Sequence, residues 1–179
     1  AKLSGDAKSY AERLFVYPKV GALDRAAAQD AILKPLGVEG VEIRQDAIAK
    51  ITEVTGGYPF FLQEWGHHAW NVADESPIDI ADVETATTRA LARLDDGFFR
   101  VRFDRLTNAE VEYVEAMASL GKGPYKVNDV AKALRKQPKA LGPRRASIII
   151  KGMIYSPSYG EIDFTVPLFD DFLQRTRLN

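Results

Sequence analysis

The chain has 179 residues, 46% of them hydrophobic and 27% charged, with a formal net charge of −1. This is the make-up of a globular chain able to build one or two small hydrophobic cores, which excludes a disordered or fibrous protein. Cysteine is absent, which excludes disulfide frameworks and zinc fingers and agrees with a reducing cytoplasm, and no apolar run approaches the roughly 18–20 residues of a membrane span.

In chain order, the start at Ala1-Lys2-Leu3-Ser4, without methionine or secretory signal, reads as the start of a piece of a longer protein. Tyr10, Leu14 and Phe15 have roughly helical spacing, and Val16-Tyr17-Pro18-Lys19-Val20 is a short apolar connector. Asp24 is a fitting N-cap for a helix with Ala28, Ile32, Leu33 and Leu36 inward, ended by Gly37 and Gly40. Asp46 caps the next helix, with Ile48, Ile51 and Val54 inward and Gly56-Gly57 as its stop. Pro59 opens a third, whose Phe61, Trp65 and Ala69 share a face. After the loop Asp74-Glu75-Ser76-Pro77, Asp79 caps a long fourth helix through Val83, Ala86, Ala90, Leu94 and Phe98.

At Leu106 the pattern restarts. Thr107 and Glu110 form a capping-box pair ahead of Val111, Val114, Met117 and Leu120. Gly121-Lys122-Gly123-Pro124 ends that helix, Val127–Leu134 is a short one and Ala140–Lys151 another. Met153-Ile154-Tyr155 and Ile162-Asp163-Phe164-Thr165-Val166 then pair as a hairpin across Ser156-Pro157-Ser158-Tyr159-Gly160. Pro167 opens a last helix with Leu168, Phe169, Phe172 and Leu173 inward. Three helices and then a hairpin is the winged helix-turn-helix order, so the fold class expected is mainly α: a four-helix unit followed by a winged helix-turn-helix with a small β-hairpin wing.

Phosphate-binding machinery is not legible. The loop G-x-x-x-x-G-K-[ST] needs an upstream glycine that Gly121-Lys122-Gly123 lacks. The run Val166-Pro167-Leu168-Phe169-Asp170-Asp171 imitates a magnesium-holding strand, but its proline and helical spacing speak against one. The chain by itself is therefore not expected to hydrolyse ATP, and no catalytic residue is assigned. Glu64, His67 and His68 lie within one helical turn, yet adjacent histidines point some 100° apart, so a solvent-edge pair is expected rather than a metal site.

Thr55-Gly56-Gly57-Tyr58-Pro59-Phe60-Phe61-Leu62-Gln63 resembles the Gly-x-Pro lid motif of the signal-transducing P-loop ATPases with numerous domains (the NB-ARC and archaeal ATPase types), a branch near the AAA+ origin initiators. Asp95-Asp96-Gly97-Phe98-Phe99-Arg100-Val101-Arg102-Phe103-Asp104-Arg105-Leu106-Thr107 and Lys151-Gly152-Met153-Ile154-Tyr155-Ser156-Pro157 are similar to the tails of bacterial predicted ATP-binding proteins. The resemblance implies an AAA+ lid over residues 23–105, a winged helix over 106–179, and in 1–22 the exit from a P-loop domain that lies upstream. It implies that Gly57, Tyr58 and Pro59 meet the adenine of ATP or ADP, held with Mg in the full-length parent and not tightly by this piece. An arginine sensor is not matched, because no Lys or Arg occurs between Lys50 and Arg89. The Met-His-Asp motif of NB-ARC winged helices is not matched either, since Val166-Pro167-Leu168 stands there. Without the order of elements around it, the same corner is a plain helix-turn-helix bend.

The charge is unevenly spread. Nine basic residues between Gly121 and Met153 face one acid, Asp129, for a local net charge of +8 against −9 elsewhere. Lys132, Arg135, Lys136, Lys139, Arg144, Arg145 and Lys151 lie on or beside the second and third helices of the winged helix, where cations neutralise DNA phosphates. The same face serves equally as a solvated surface or a contact for a partner protein, and Pro143 with Ile148-Ile149-Ile150 offers no base-reading side chain.

Overall fold

The computed structural model describes residues 21–177. The segment Ser4–Val20, read above as a helical stretch and connector, lies outside them. The first helix, α1 (Arg25–Val38), starts at Asp24, whose carboxylate accepts the Ala27 N–H at 2.9 Å. It buries Ala28, Ile32 and Leu36, but Leu33 is 42% exposed because it lies off the stripe that meets the neighbouring helices. Gly37 does not end it: the turn closes after Val38, with Gly40 left-handed at φ 69°. The second, α2 (Gln45–Thr55), begins one residue before the expected cap, with Arg44 at the N-cap and Asp46 inside the first turn. Then come α3 (Pro59–Val72), with proline at its first turn, and α4 (Ile80–Arg93), capped by Asp79 and Asp82 reciprocally.

Beyond Arg93 the helix does not stop. It widens into a π-helical segment, Leu94–Phe99, and closes with one α-turn, Arg100–Phe103. The wide turn shifts the register, so Phe99 is fully buried where the 3.6-residue spacing expects Phe98.

The second half opens at α5 (Asn108–Ala118), where the Glu110 carboxylate accepts the Thr107 N–H at 2.7 Å. Tyr113, Val114, Ala116 and Met117 face inward, while Leu120 lies past the helix end and is 43% exposed. A short strand follows, β1 (Tyr125–Lys126), which the sequence reading does not anticipate. Helix α6 (Val127–Ala133) leads through a 3-10 turn, Pro138–Leu141, into α7 (Gly142–Ile150); this pair replaces the single helix expected from Ala140 to Lys151. Strands β2 (Ile154–Tyr155) and β3 (Glu161–Phe164) form the hairpin, and β1 completes an antiparallel sheet in the order β1-β3-β2. The register pairs Tyr125 with Ile162 and Ile154 with Phe164, all four side chains inward. The last helix, α8 (Phe169–Arg177), starts two residues later than expected because Leu168 has φ 62°, outside helical geometry.

The fold is thus mainly helical, with four helices followed by three helices, a three-stranded antiparallel sheet and a closing helix, the order of elements expected of a winged helix-turn-helix. One buried apolar cluster runs through both halves. Among the described residues no helix is long and apolar enough to cross a membrane.

The two halves meet through aromatic rings. From Tyr58 the row runs to Phe61 (4.8 Å between centroids), Phe99 (6.0 Å), Phe169 (5.9 Å), Phe164 (5.6 Å) and Tyr125 (5.7 Å). Phe172 stacks on Phe99 at 5.4 Å, and Arg175 clamps Asp95 with two hydrogen bonds of 2.6 and 2.9 Å. Such bidentate pairs fix orientation as well as distance.

Candidate functional site

The corner between α2 and α3 is built from backbone constraints. Gly56 (φ 57°) and Gly57 (φ 70°) are both left-handed, which ends α2 and turns the chain toward Pro59. Gly57 is buried, and its carbonyl accepts the Leu23 N–H at 2.9 Å. A methyl group at Gly57 would collide with the Leu23 carbonyl oxygen, whereas one at Gly56 would meet open space. Gly57→Ala is therefore expected to destabilise the chain by about 2–3 kcal/mol, and Gly56→Ala by only about 1 kcal/mol, the left-handed strain alone. Urea unfolding of the two variants side by side checks this.

Tyr58 is half-buried against Phe61, and Pro59 and Phe60 are exposed beside it. A groove of about 320 Å³ lies next to the corner, lined by Leu23, Arg25, Ala49, Thr52, Glu53, Gly56 and Gly57. Tyr58 and Pro59 are not among its lining residues. The groove offers apolar walls at Leu23 and Ala49 with one cation and one carboxylate, Arg25 and Glu53. Sequence reasoning missed Arg25 and Glu53, because only the folded corner brings α1 and α2 together there.

The seven expected cationic residues do not form one free patch. Lys151 Nζ lies 2.6 Å from the Glu110 carboxylate and donates to the Arg105 carbonyl at 2.8 Å, a structural tie between α5 and the end of α7. Arg144 and Lys136 both reach Glu112, at 3.3 and 3.9 Å, and Lys132 reaches Asp129 at 3.0 Å. Arg135, Lys139 and Arg145 have no carboxylate within 4 Å among the described residues. Asp170 and Asp171, in the run that imitates a magnesium strand, both bind Lys122 Nζ, at 2.9 and 2.8 Å.

His67 and His68 stand with ring centroids 5.4 Å apart; His67 is exposed, while His68 lies 3.9 Å from Glu64, which also meets Arg93 at 3.4 Å. Burial pushes the His68 imidazole below its ordinary value, against the pull of Glu64. Among the described residues no three carboxylate or imidazole side chains converge as metal ligands.

A family model described only as a domain of unknown function, DUF8462, matches residues 96–173, from the π-helical turn to α8. No curated protein matches the chain. Among solved structures, the Walker-type ATPase of Pyrococcus abyssi superposes with a TM-score of 0.65 at 14% identity, over 97% of this chain and 48% of its own. RuvB of Thermotoga maritima, the Holliday junction branch migration motor, superposes with a TM-score of 0.45 at 14% identity, over 87% of this chain and 51% of its own. At such identity the likeness to the Walker-type ATPase is one of fold, and the chain spans about half the length of the structures it matches.

Proposed function

We propose that the chain is the C-terminal, non-catalytic regulatory part of a P-loop ATPase of the AAA+ or signal-transducing kind. Residues 23–105 act as its lid and 106–179 as its winged helix, with a P-loop domain preceding residues 1–22. The observation that carries this reading is the left-handed Gly56-Gly57 corner, with Pro59 at the head of α3. The fold it shares with part of a Walker-type ATPase supports it.

In this reading the adenine of ATP or ADP rests against the corner at Gly57, Tyr58 and Pro59, while the phosphates and Mg are held upstream. The nucleotide supplies the hydrolysable bond. This chain's own residues orient the base: Gly57 brings the backbone close, and Phe61 keeps the Tyr58 ring from turning away. A change of nucleotide would shift the lid and, with it, the second half, whose cations meet an anionic macromolecule in the cytoplasm. In the full-length gene product, Pro59→Ala with Tyr58→Ala is expected to weaken ATP binding about tenfold, a loss on the scale of one well-packed contact. Unchanged affinity by calorimetric titration would refute the adenine role.

A further inference from the structure

The inward side of α7 is anchored by Ile148, fully buried, by Ser147 bonded to Glu110 at 2.7 Å, and by Arg144 at Glu112. At 100° per residue, the opposite side carries Pro143, Ala146, Ile149 and Ile150. All four are exposed, Ile150 by 85%. Tyr155, on the β2 strand that packs against α7, is 44% exposed. Single apolar residues on a surface need no explanation, but a whole helix face without one polar side chain does.

That face is the one a winged helix would lay in a DNA groove. It offers no donor or acceptor for base edges, so docking there would strip water from the bases without replacing their hydrogen bonds. Internal carboxylates already engage most cations of the basic stretch: Lys122, Lys132, Lys136, Arg144 and Lys151. Arg145 stands on the edge of the apolar stripe, four residues before Ile149. Lys139 and Arg135 precede it in the turn that joins α6 to α7.

We infer that the outward face of α7 is a docking surface for a segment of a partner protein that presents apolar side chains with acidic residues at one end. The pattern matches the two parts of the surface: Pro143, Ala146, Ile149, Ile150 and Tyr155 take the apolar anchors, and Arg135, Lys139 and Arg145 take the carboxylates. Apolar contact supplies the affinity and charge supplies the direction of docking. The inference deepens the partner half of the proposed function and is independent of the nucleotide half.

A displayed random library of peptides of about 16 residues, some four helical turns, panned against the intact 179-residue chain tests it. The same library is panned in parallel against Ile150→Glu. Ile150 is 85% exposed, so that variant keeps its fold, verified by an unchanged melting curve. Enriched peptides are expected to carry apolar pairs three or four residues apart beside Asp or Glu. Synthetic copies should lose about tenfold or more in affinity for Ile150→Glu, as at an interface anchor. They should lose about threefold for Lys139→Ala with Arg145→Ala, a difference that vanishes near 0.5 M salt. No enrichment over the variant, or peptides that bind both proteins equally or lack acids, overturns the inference. A mixed-sequence duplex whose binding is also abolished by Ile150→Glu would overturn it too, by giving the face to nucleic acid. The Pro59 experiment reports on the nucleotide reading alone, so the two can fail separately.

Discussion

Glu110→Ala is expected to destabilise the protein by about 3 kcal/mol, the scale of removing one partner from a buried ion pair. The residue is 4% exposed and its carboxylate joins three groups. It accepts from the Thr107 N–H at 2.7 Å, from Ser147 Oγ at 2.7 Å and from Lys151 Nζ at 2.6 Å, while the same Lys151 ammonium donates to the Arg105 carbonyl. Truncation strands a half-buried ammonium and leaves the Thr107 N–H at the start of α5 without its acceptor. Burial alone would raise the Glu110 carboxyl, but the hydrogen bonds from Lys151, Thr107 and Ser147 outweigh it and hold the group down at about 2. A carboxylate depressed in the folded state stabilises above its unfolded value, near 4.3, and loses that contribution as pH falls through the folded value. Urea unfolding should therefore show native stability declining between about pH 4.5 and pH 2, and Glu110→Gln should flatten that decline. If the decline were identical in the variant, Glu110 would not be its source.

Phe99→Ala is the second large effect, expected at about 3–5 kcal/mol for a buried aromatic reduced to a methyl. Phe99 is fully buried and lies within 6.0 Å, centroid to centroid, of Phe61, Phe98, Phe169 and Phe172. Those rings belong to α3, to the π-helical turn and to α8, so the cavity opens at the seam between the halves. Calorimetry should show the native single transition replaced by two, the half-chains melting apart. Phe60→Ala, at a ring 43% exposed that touches the same row through Phe98, is expected to cost less than about 1 kcal/mol and to leave one transition.

Local signals made some features legible in the residues and left others dark. Asp24, Asp79, Pro59 and the Thr107–Glu110 pair were readable because a cap is satisfied within four residues of itself. Leu33 and Leu120 were misread because an apolar stripe says nothing of how wide the opposing surface is. The π-helical turn stayed hidden, since a register shift leaves the composition unchanged. Strand β1 stayed hidden because two residues, Tyr125 and Lys126, become a strand only through β3, 35 residues on. The basic stretch was legible as a charge count, yet much of its neutralisation comes from outside it, from Glu110, Glu112, Asp170 and Asp171. That sorting, and with it the apolar outer face of α7, exists only in the folded chain.

The unbroken run from Ile80 to Phe103 has a mechanical consequence. In the function proposed above, it serves as the drive shaft between lid and winged helix. Torque applied near the glycine corner cannot dissipate in a slack joint, because Asp95 is pinned by Arg175 and the ring row crosses the seam alongside it. The two halves should tumble with one correlation time in solution. Any swing of the first then arrives at the hairpin tip, where Tyr159 stands clear of the surface, as a displacement magnified by the length of the lever.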